Sequence, residues 1–174
     1  MILREVSQKD VNYIRSLYRE AFPAVERIPF SRLERLQRKG EIKMFCAYEN
    51  SEPCSLAFTS CSSKSVLLMY FAVDSAKRNQ GLGAKVISAL CDTFPRRRII
   101  IEIEEPDENK PDTIRRKEFY KRCGFHDSGA KVKLVGVNME IMIKGEGEFD
   151  KFEYLGINDR TFGHIITKLF VKVK

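Results

Sequence analysis

The fold is decided by Leu67–Phe94, LLMYFAVDSAKRNQGLGAKVISALCDTF. An apolar run ends at Val73, and an Arg-x-x-Gly-x-Gly pattern follows from Arg78 to Gly83. The run begins at Ser65 and is apolar at both phases of a period-two alternation, which predicts a central strand covered on both faces. Leu82, Val86, Ala89 and Leu90 recur at helical spacing and predict a helix from about Leu82 to Phe94. Two glycines and an arginine between a buried strand and a helix have two readings. One is an ordinary strand-to-helix connection. The other is an anion cradle, because glycine lets the backbone approach a ligand closely and adopt positive φ. The first N–H groups of the helix then face the anion, and the helix dipole favours it. Arg78 adds bidentate contacts to phosphate and Lys85 a second charge.

Upstream, Ile2–Val6 alternates like a short strand, and Ser7 with Asp10 makes a start resembling a capping box. Val11, Ile14, Leu17, Tyr18 and Ala21 form the stripe of a helix that Pro23 ends. SRLERLQRK, 31–39, reads as a second helix, and Lys43–Tyr48 and Cys54–Ser60 read as strands joined by the turn residues ENSEP. Downstream, IIIEIE, Ile99–Glu104, is a strand and TIRRKEFYKRC a helix that Gly124 stops. KVKLV and NMEIMI close as a hairpin around Gly136. The order is strand, two helices, three strands, helix, strand, helix, two strands. That pattern predicts an α/β chain, an α+β mixed sheet of about seven strands with helices on both faces.

The length of 174 residues suits one domain with a substantial core, and no apolar stretch approaches a membrane span. The start, MILREVSQKD, lacks the basic region and apolar core of a signal peptide, so the expected location is the cytoplasm. Five scattered cysteines without a C-x-x-C predict reduced, mostly buried thiols, and two histidines argue against a zinc site, so no metal is expected. A net charge of +7 favours an anionic partner without choosing among nucleic acid, a membrane and a phosphorylated cofactor.

Three phosphate loops compete for Arg78–Gly83. A P-loop needs Gly-x4-Gly-Lys-Ser/Thr, which is absent. The dinucleotide fingerprint needs a third glycine where Val86 stands, although an acidic residue, Glu102, follows about twenty residues on. It also needs a tight strand-to-glycine turn, and here seven residues separate Val73 from Gly81. AVDSAKRNQGLGAKVISAL resembles the acyl-CoA signature of the GNAT superfamily of N-acyltransferases. IIIEIEEP resembles the family's next strand, and EFYKRCGF, Glu118–Phe125, resembles its Tyr-x-x-x-Gly-Phe helix end. FPAVERIPFSRL, Phe22–Leu33, is similar to the acceptor-side loop of a small bacterial-type subgroup. The resemblance covers about residues 1–143 and leaves 144–174 as a C-terminal extension.

The resemblance implies a GNAT fold in which the fourth strand, Ser65–Val73, and the fifth, Ile99–Glu104, run parallel and splay apart around pantetheine. Phe71, Ala72 and Val73 would then offer backbone hydrogen bonds to pantetheine. Arg78, Asn79, Gln80, Gly81, Leu82, Gly83 and Ala84 would surround the pyrophosphate of acetyl-CoA, the expected co-substrate. Family members often carry an asparagine after the acidic strand. EEPDENKPD is longer here and offers Asn109. The implied reaction is transfer of an acetyl group to a primary amine by direct attack in a ternary complex.

That chemistry sets requirements. A primary amine with an ordinary pKa is neutral in about one molecule in 2,500 at neutral pH. Attack therefore needs a base for the ammonium proton and donors for the oxyanion. A backbone N–H near Ala72 or Val73 suits the oxyanion. Tyr120 aligns with the residue that protonates the leaving thiolate and binds near it in many relatives, and a core tyrosine is the plain alternative. Glu102 aligns with a catalytic glutamate in some members. Glu104 shares its face of the strand, and a strand end reaching solvent is the other account of both. Glu26 in the acceptor-side loop either holds a cationic substrate or pairs with Arg27. Arg115 and Arg116 could meet CoA phosphates or an acidic acceptor. Arg96–Arg98 precedes the N-terminal end of a parallel strand, whereas ligands gather at C-terminal ends, so it reads as a solvated face. The extension is too rich in phenylalanine and tyrosine for a solvated nucleic-acid or membrane arm. It is expected to dock on the domain or to form a homodimer contact. Neither nucleic acid nor a membrane is an expected partner. A CoA-binding module without turnover and, more distantly, a dinucleotide oxidoreductase are the rivals.

Overall fold

A computed structural model describes residues 1–173. In chain order the elements are β1 (Ile2–Glu5), α1 (Val11–Ala21), α2 (Phe30–Arg38), β2 (Ile42–Glu49), β3 (Glu52–Cys61), β4 (Ser65–Val73) and α3 (Leu82–Thr93). They continue as β5 (Arg98–Glu104), α4 (Pro111–Arg122), β6 (His126–Leu134), β7 (Val137–Lys144), α5 (Lys151–Phe162), α6 (His164–Phe170) and β8 (Val171–Val173). The strands form one sheet in the order β1-β2-β3-β4-β5-β7-β6-β8. It has eight strands rather than about seven, because Val171–Val173 at the end of the extension adds to β6 as an antiparallel edge. This is the mixed α/β architecture expected, with β4 and β5 parallel over Ser65–Leu67 and Arg98–Ile100.

The chain divides into two compact units, and the divisions fall within β3, within β4 and before β5. The first comprises Met1–Thr59 and Met69–Pro95. There β1 pairs antiparallel with β2, from Ile2 opposite Tyr48 to Glu5 opposite Phe45. Ile14, Leu17 and Tyr18 are the buried stripe of α1, as the periodicity predicts. Tyr18 lies within 6.0 Å of Phe22, Phe30, Phe58 and Tyr70, centroid to centroid. The capping box is half realised: the Asp10 carboxylate reaches back to Ser7 N at 2.9 Å and Ser7 Oγ at 2.7 Å, and the helix proper begins one residue later.

The second unit comprises Ser60–Leu68 and the chain from Arg96 onward. β5 pairs antiparallel with β7, from Ile99 opposite Lys144 to Glu104 opposite Met139, and β7 with β6. A register shift between Asp127 and Lys131 bulges β6 around Gly129, whose φ of 75° suits a residue without Cβ. Tyr154, Ile157, Asn158 and Thr161 are the buried stripe of α5. Arg98 corrects the reading of 96–98 as a solvated face: its side chain is 8% exposed and ion-paired with Glu153 of α5. The cause is α5, whose cover over this end of β5 the local run of arginines does not announce. Among the described residues no disulfide forms; Cys46 and Cys54 are buried, and Cys61, Cys91 and Cys123 are partly so. Among the described residues no helix is long and apolar enough to cross a membrane.

Candidate active site

In the first unit, β4 delivers the chain to Asp74, which opens a 3-10 turn over Ser75–Lys77. Asp74 Oδ1 accepts from Ala76 N at 3.1 Å, and Oδ2 accepts from Tyr13 Oη of α1 at 3.0 Å. The chain then passes through two left-handed residues, Asn79 (φ 62°) and Gly81 (φ 71°), and Gly81 is the N-cap of α3. A Cβ built on Gly81 meets nothing within 4 Å. Glycine is therefore required by the backbone angle and not by crowding, and the space beside it is open. The first N–H groups of α3 have no acceptor within the helix. Arg78, Asn79, Gln80 and Gly81 are exposed, while Leu82 anchors the helix in a cluster with Ala47, Cys54 and Val86, against which Phe71 and Val73 pack. Arg78 Nε donates to Val73 O at 3.2 Å, and Ser55 Oγ donates to Ala72 O at 2.7 Å, so loop and strand end are held together. Gly83 and Ala84 lie in the first turn of α3. The second charge expected from Lys85 is ion-paired with Glu49.

Glu26 ends a 3-10 turn over Ala24–Glu26 in the same unit and its side chain is exposed. Tyr70 Oη donates to Glu26 O at 2.7 Å and accepts from Ile28 N at 3.3 Å, which ties this loop to β4. Arg27 reaches Arg19 O at 3.5 Å.

In the second unit, Glu102 and Glu104 lie on one face of β5 by alternation. They differ in surroundings. Glu104 is near Lys110 (3.6 Å) and Arg116 (4.0 Å), at an open groove of about 340 Å³ lined by Glu104–Asp107, Lys110, Val137 and Asn138. Glu102 keeps some accessible surface as a residue, yet its carboxyl is desolvated. Burial pushes that carboxyl up to about 7, against a smaller opposing effect of a hydrogen bond from the Tyr154 hydroxyl to Oε1. Tyr120 of α4 is 8% exposed, edge-on to Phe119 at 5.1 Å and Phe125 at 5.4 Å. Burial pushes its phenol up to about 12, with the Arg116 charge pulling the other way. Arg115 pairs with Asp112 at 2.8 Å. Asn109 is exposed and turns on Asp107, its N and Nδ2 donating to Oδ1 at 2.9 and 3.1 Å.

The sequence of residues 40–127 matches the Acetyltransferase (GNAT) domain family. The chain belongs to this family. Among curated proteins no sequence matches it. Solved structures share the GNAT fold. A protein of Bacteroides thetaiotaomicron assigned to the GNAT family superposes with a TM-score of 0.76 at 23% identity, covering 98% of each chain. Spermidine N-acetyltransferase of Vibrio cholerae, in complex with CoA and spermine, gives 0.63 at 16% identity, covering 82% of this chain and 94% of its own. An aminoglycoside 6'-N-acetyltransferase complexed with coenzyme A gives 0.63 at 17% identity, covering 86% of this chain and 100% of its own.

Within the GNAT chain, Phe71–Val73 end β4, Arg78–Gly81 are exposed in the loop that follows, and Leu82–Ala84 open α3, with Ala72 and Leu82 buried. In the other unit Arg116 lies 4.0 Å from Glu104, and its charge also acts on the phenol of Tyr120. Tyr154, which engages Glu102, is the residue sequence reasoning missed. A signal was present: Tyr154, Ile157, Asn158 and Thr161 follow helical spacing, but two are polar. Asn158 Nδ2 donates to Tyr154 O at 3.0 Å and Thr161 Oγ1 to Ile157 O at 3.3 Å, so both enter the interior satisfied by their own helix. A search for apolar stripes passes over such a face.

Proposed function

We propose that this GNAT chain transfers an acetyl group from acetyl-CoA to a primary amine by direct attack in a ternary complex. The observation that carries the reading is the exposed loop Arg78–Gly81, with left-handed Gly81 capping α3 beside open space. Such a terminus suits a pyrophosphate, and Arg78 adds charge. Asn79, Gln80, Leu82, Gly83 and Ala84 complete the cradle, and the backbone of Phe71, Ala72 and Val73 hydrogen-bonds pantetheine. Glu102 accepts the ammonium proton. A carboxyl brought to about 7 is matched to a base working near neutral pH. The neutral amine attacks the thioester carbonyl, and backbone N–H near Ala72 or Val73 stabilises the oxyanion. The C–S bond breaks as the C–N bond is completed. Tyr120, which keeps its proton throughout the neutral range, gives it to the departing thiolate, and the second proton that the nitrogen loses on becoming the amide restores the phenol. Glu104 is the second choice of base, Glu26 recognises a cationic acceptor, and Asn109 contacts CoA. The named substrates of the fold neighbours, spermidine and aminoglycosides among them, are consistent with an amine acceptor.

The test is a panel of amines, including polyamines, aminoglycosides and peptides, with released CoA thiol as readout. Acetyl-CoA at a hundred times its Kd should stabilise the fold by about 2.7 kcal/mol, a rise in Tm of roughly 5–10 °C for this length. Gly81→Val should fold, because no neighbour crowds the site, at a strain of about 1–2 kcal/mol. It should lose most of the acetyl-CoA shift. A full shift in the variant would remove the loop from the site. Binding without thiol release across the panel would make the chain a CoA-binding module.

A further inference from the structure

Helix α5 lies outside residues 40–127, the part matched by the family, yet it places a hydroxyl on Glu102. Tyr154 is fully buried and donates to Glu102 Oε1. A buried phenol needs a polar partner, and here the partner is the strand carboxylate. The geometry of that contact is held from several directions. Asp150 Oδ1 caps α5, accepting from Phe152 N at 2.8 Å and Glu153 N at 3.1 Å. Glu153, the neighbour of Tyr154, is pinned by Arg98 at 3.2 Å, Ser65 Oγ at 3.0 Å and Ser62 Oγ. Arg160 Nη2 donates to Cys61 O at 2.6 Å near the other end of the helix. The Tyr154 ring also packs on Phe149 at 5.5 Å.

We propose that Tyr154 is the positioning residue for Glu102, holding its carboxylate in one orientation and favouring its ionised form. Its role in acetyl transfer rests on the reading of Glu102 as the base. A phenol donating to one oxygen stabilises carboxylate over carboxylic acid, which opposes the effect of burial. It also leaves Oε2 as the oxygen that takes the proton. The surroundings supply no substitute. Opposite Glu102 on β7 stands Ile141. Glu104, on the same face of β5, is met by Lys110 and Arg116. Glu140 of β7 pairs with Lys117 of α4, and Glu153 with Arg98. Among the described residues Tyr154 is the titratable group that acts on Glu102.

Two measurements test this. The first follows the Glu102 carboxyl carbon by 13C NMR as pH is varied, with Glu102→Gln identifying the resonance. Tyr154→Phe should raise the midpoint by about one pH unit, the equivalent of one hydrogen bond to a charged acceptor. Incorporating 3-fluorotyrosine at position 154, nearly isosteric and a stronger donor, should lower it and serves should Tyr154→Phe not fold. An unmoved midpoint in a folded variant overturns the proposal whether or not an acceptor is known. The second measurement is the pH profile of kcat/KM with the best amine. The acidic limb should move up with the midpoint, the high-pH plateau should be kept, and acetyl-CoA affinity should be unchanged. A limb that stays while the midpoint moves overturns the role in transfer. A moved midpoint with no turnover on any amine instead overturns the acetyltransferase reading and leaves the carboxylate contact established.

Discussion

Glu153→Ala should destabilise the protein by about 3 kcal/mol. The Glu153 carboxylate accepts from Arg98 Nη2 at 3.2 Å, from Ser65 Oγ at 3.0 Å and from Ser62 Oγ, and Arg98 Nε donates to Ser65 Oγ at 3.2 Å. The two charged side chains are 8% and 11% exposed. Truncating Glu153 removes the carboxylate that accepts from Arg98, Ser65 and Ser62 and leaves the guanidinium buried beside two hydroxyls. Breaking one side of a buried pair costs about 3–5 kcal/mol, because the surviving charge stays desolvated. The residual exposure of both side chains favours the lower end. For a chain of this length, each kcal/mol lowers Tm by about 2–4 °C, so the expected fall is roughly 6–12 °C. The assay is urea unfolding followed by far-UV circular dichroism, with a thermal melt beside it. The double variant Arg98→Met/Glu153→Leu replaces both charges with apolar side chains of similar size and should recover most of the loss. The single variants Arg98→Met and Glu153→Leu, with the double, complete a cycle that isolates the pair. A loss from Glu153→Ala of no more than about 0.5 kcal/mol, the range of ordinary surface substitutions, would refute the account. It would mean that α5 is not held to β5 by this network.

Tyr120→Phe removes one hydroxyl and little volume, so acetyl-CoA binding should persist while kcat falls roughly 100-fold where proton donation limits turnover. Wild-type kcat with the best acceptor would leave Tyr120 as a packing residue of α4. Asp10→Asn should cost about 1–2 kcal/mol near neutral pH, because the carboxylate serves Ser7 and Tyr48 while 3% exposed. Burial raises the Asp10 carboxyl, but the bonds from Tyr48 and Ser7 outweigh it and hold it below its ordinary value of 3.8. The stability this contributes is present above the unfolded value and lost as pH falls through the folded one. Wild type should therefore lose stability on acidification more steeply than Asp10→Asn, and parallel curves would show the carboxylate to be unperturbed.

Much of this protein is legible in the sequence because its signals are local. The both-face apolar run at Ser65–Val73, the alternation of Ile99–Glu104 and the helical spacing from Leu82 each report on a single element, and all three elements form where their patterns place them. The glycine at position 81 is equally local, since a left-handed N-cap is a demand of the backbone itself. The surroundings of the charged side chains were decided by tertiary structure. Arg98 reads as one of three solvated arginines until α5 supplies Glu153, from 55 residues away in sequence. Glu102 reads as an acidic residue near a strand end until Tyr154, 52 residues on, reaches its carboxyl and burial raises its proton affinity. Desolvation and pairing depend on what the rest of the chain brings against a group, so no window of sequence around that group contains them.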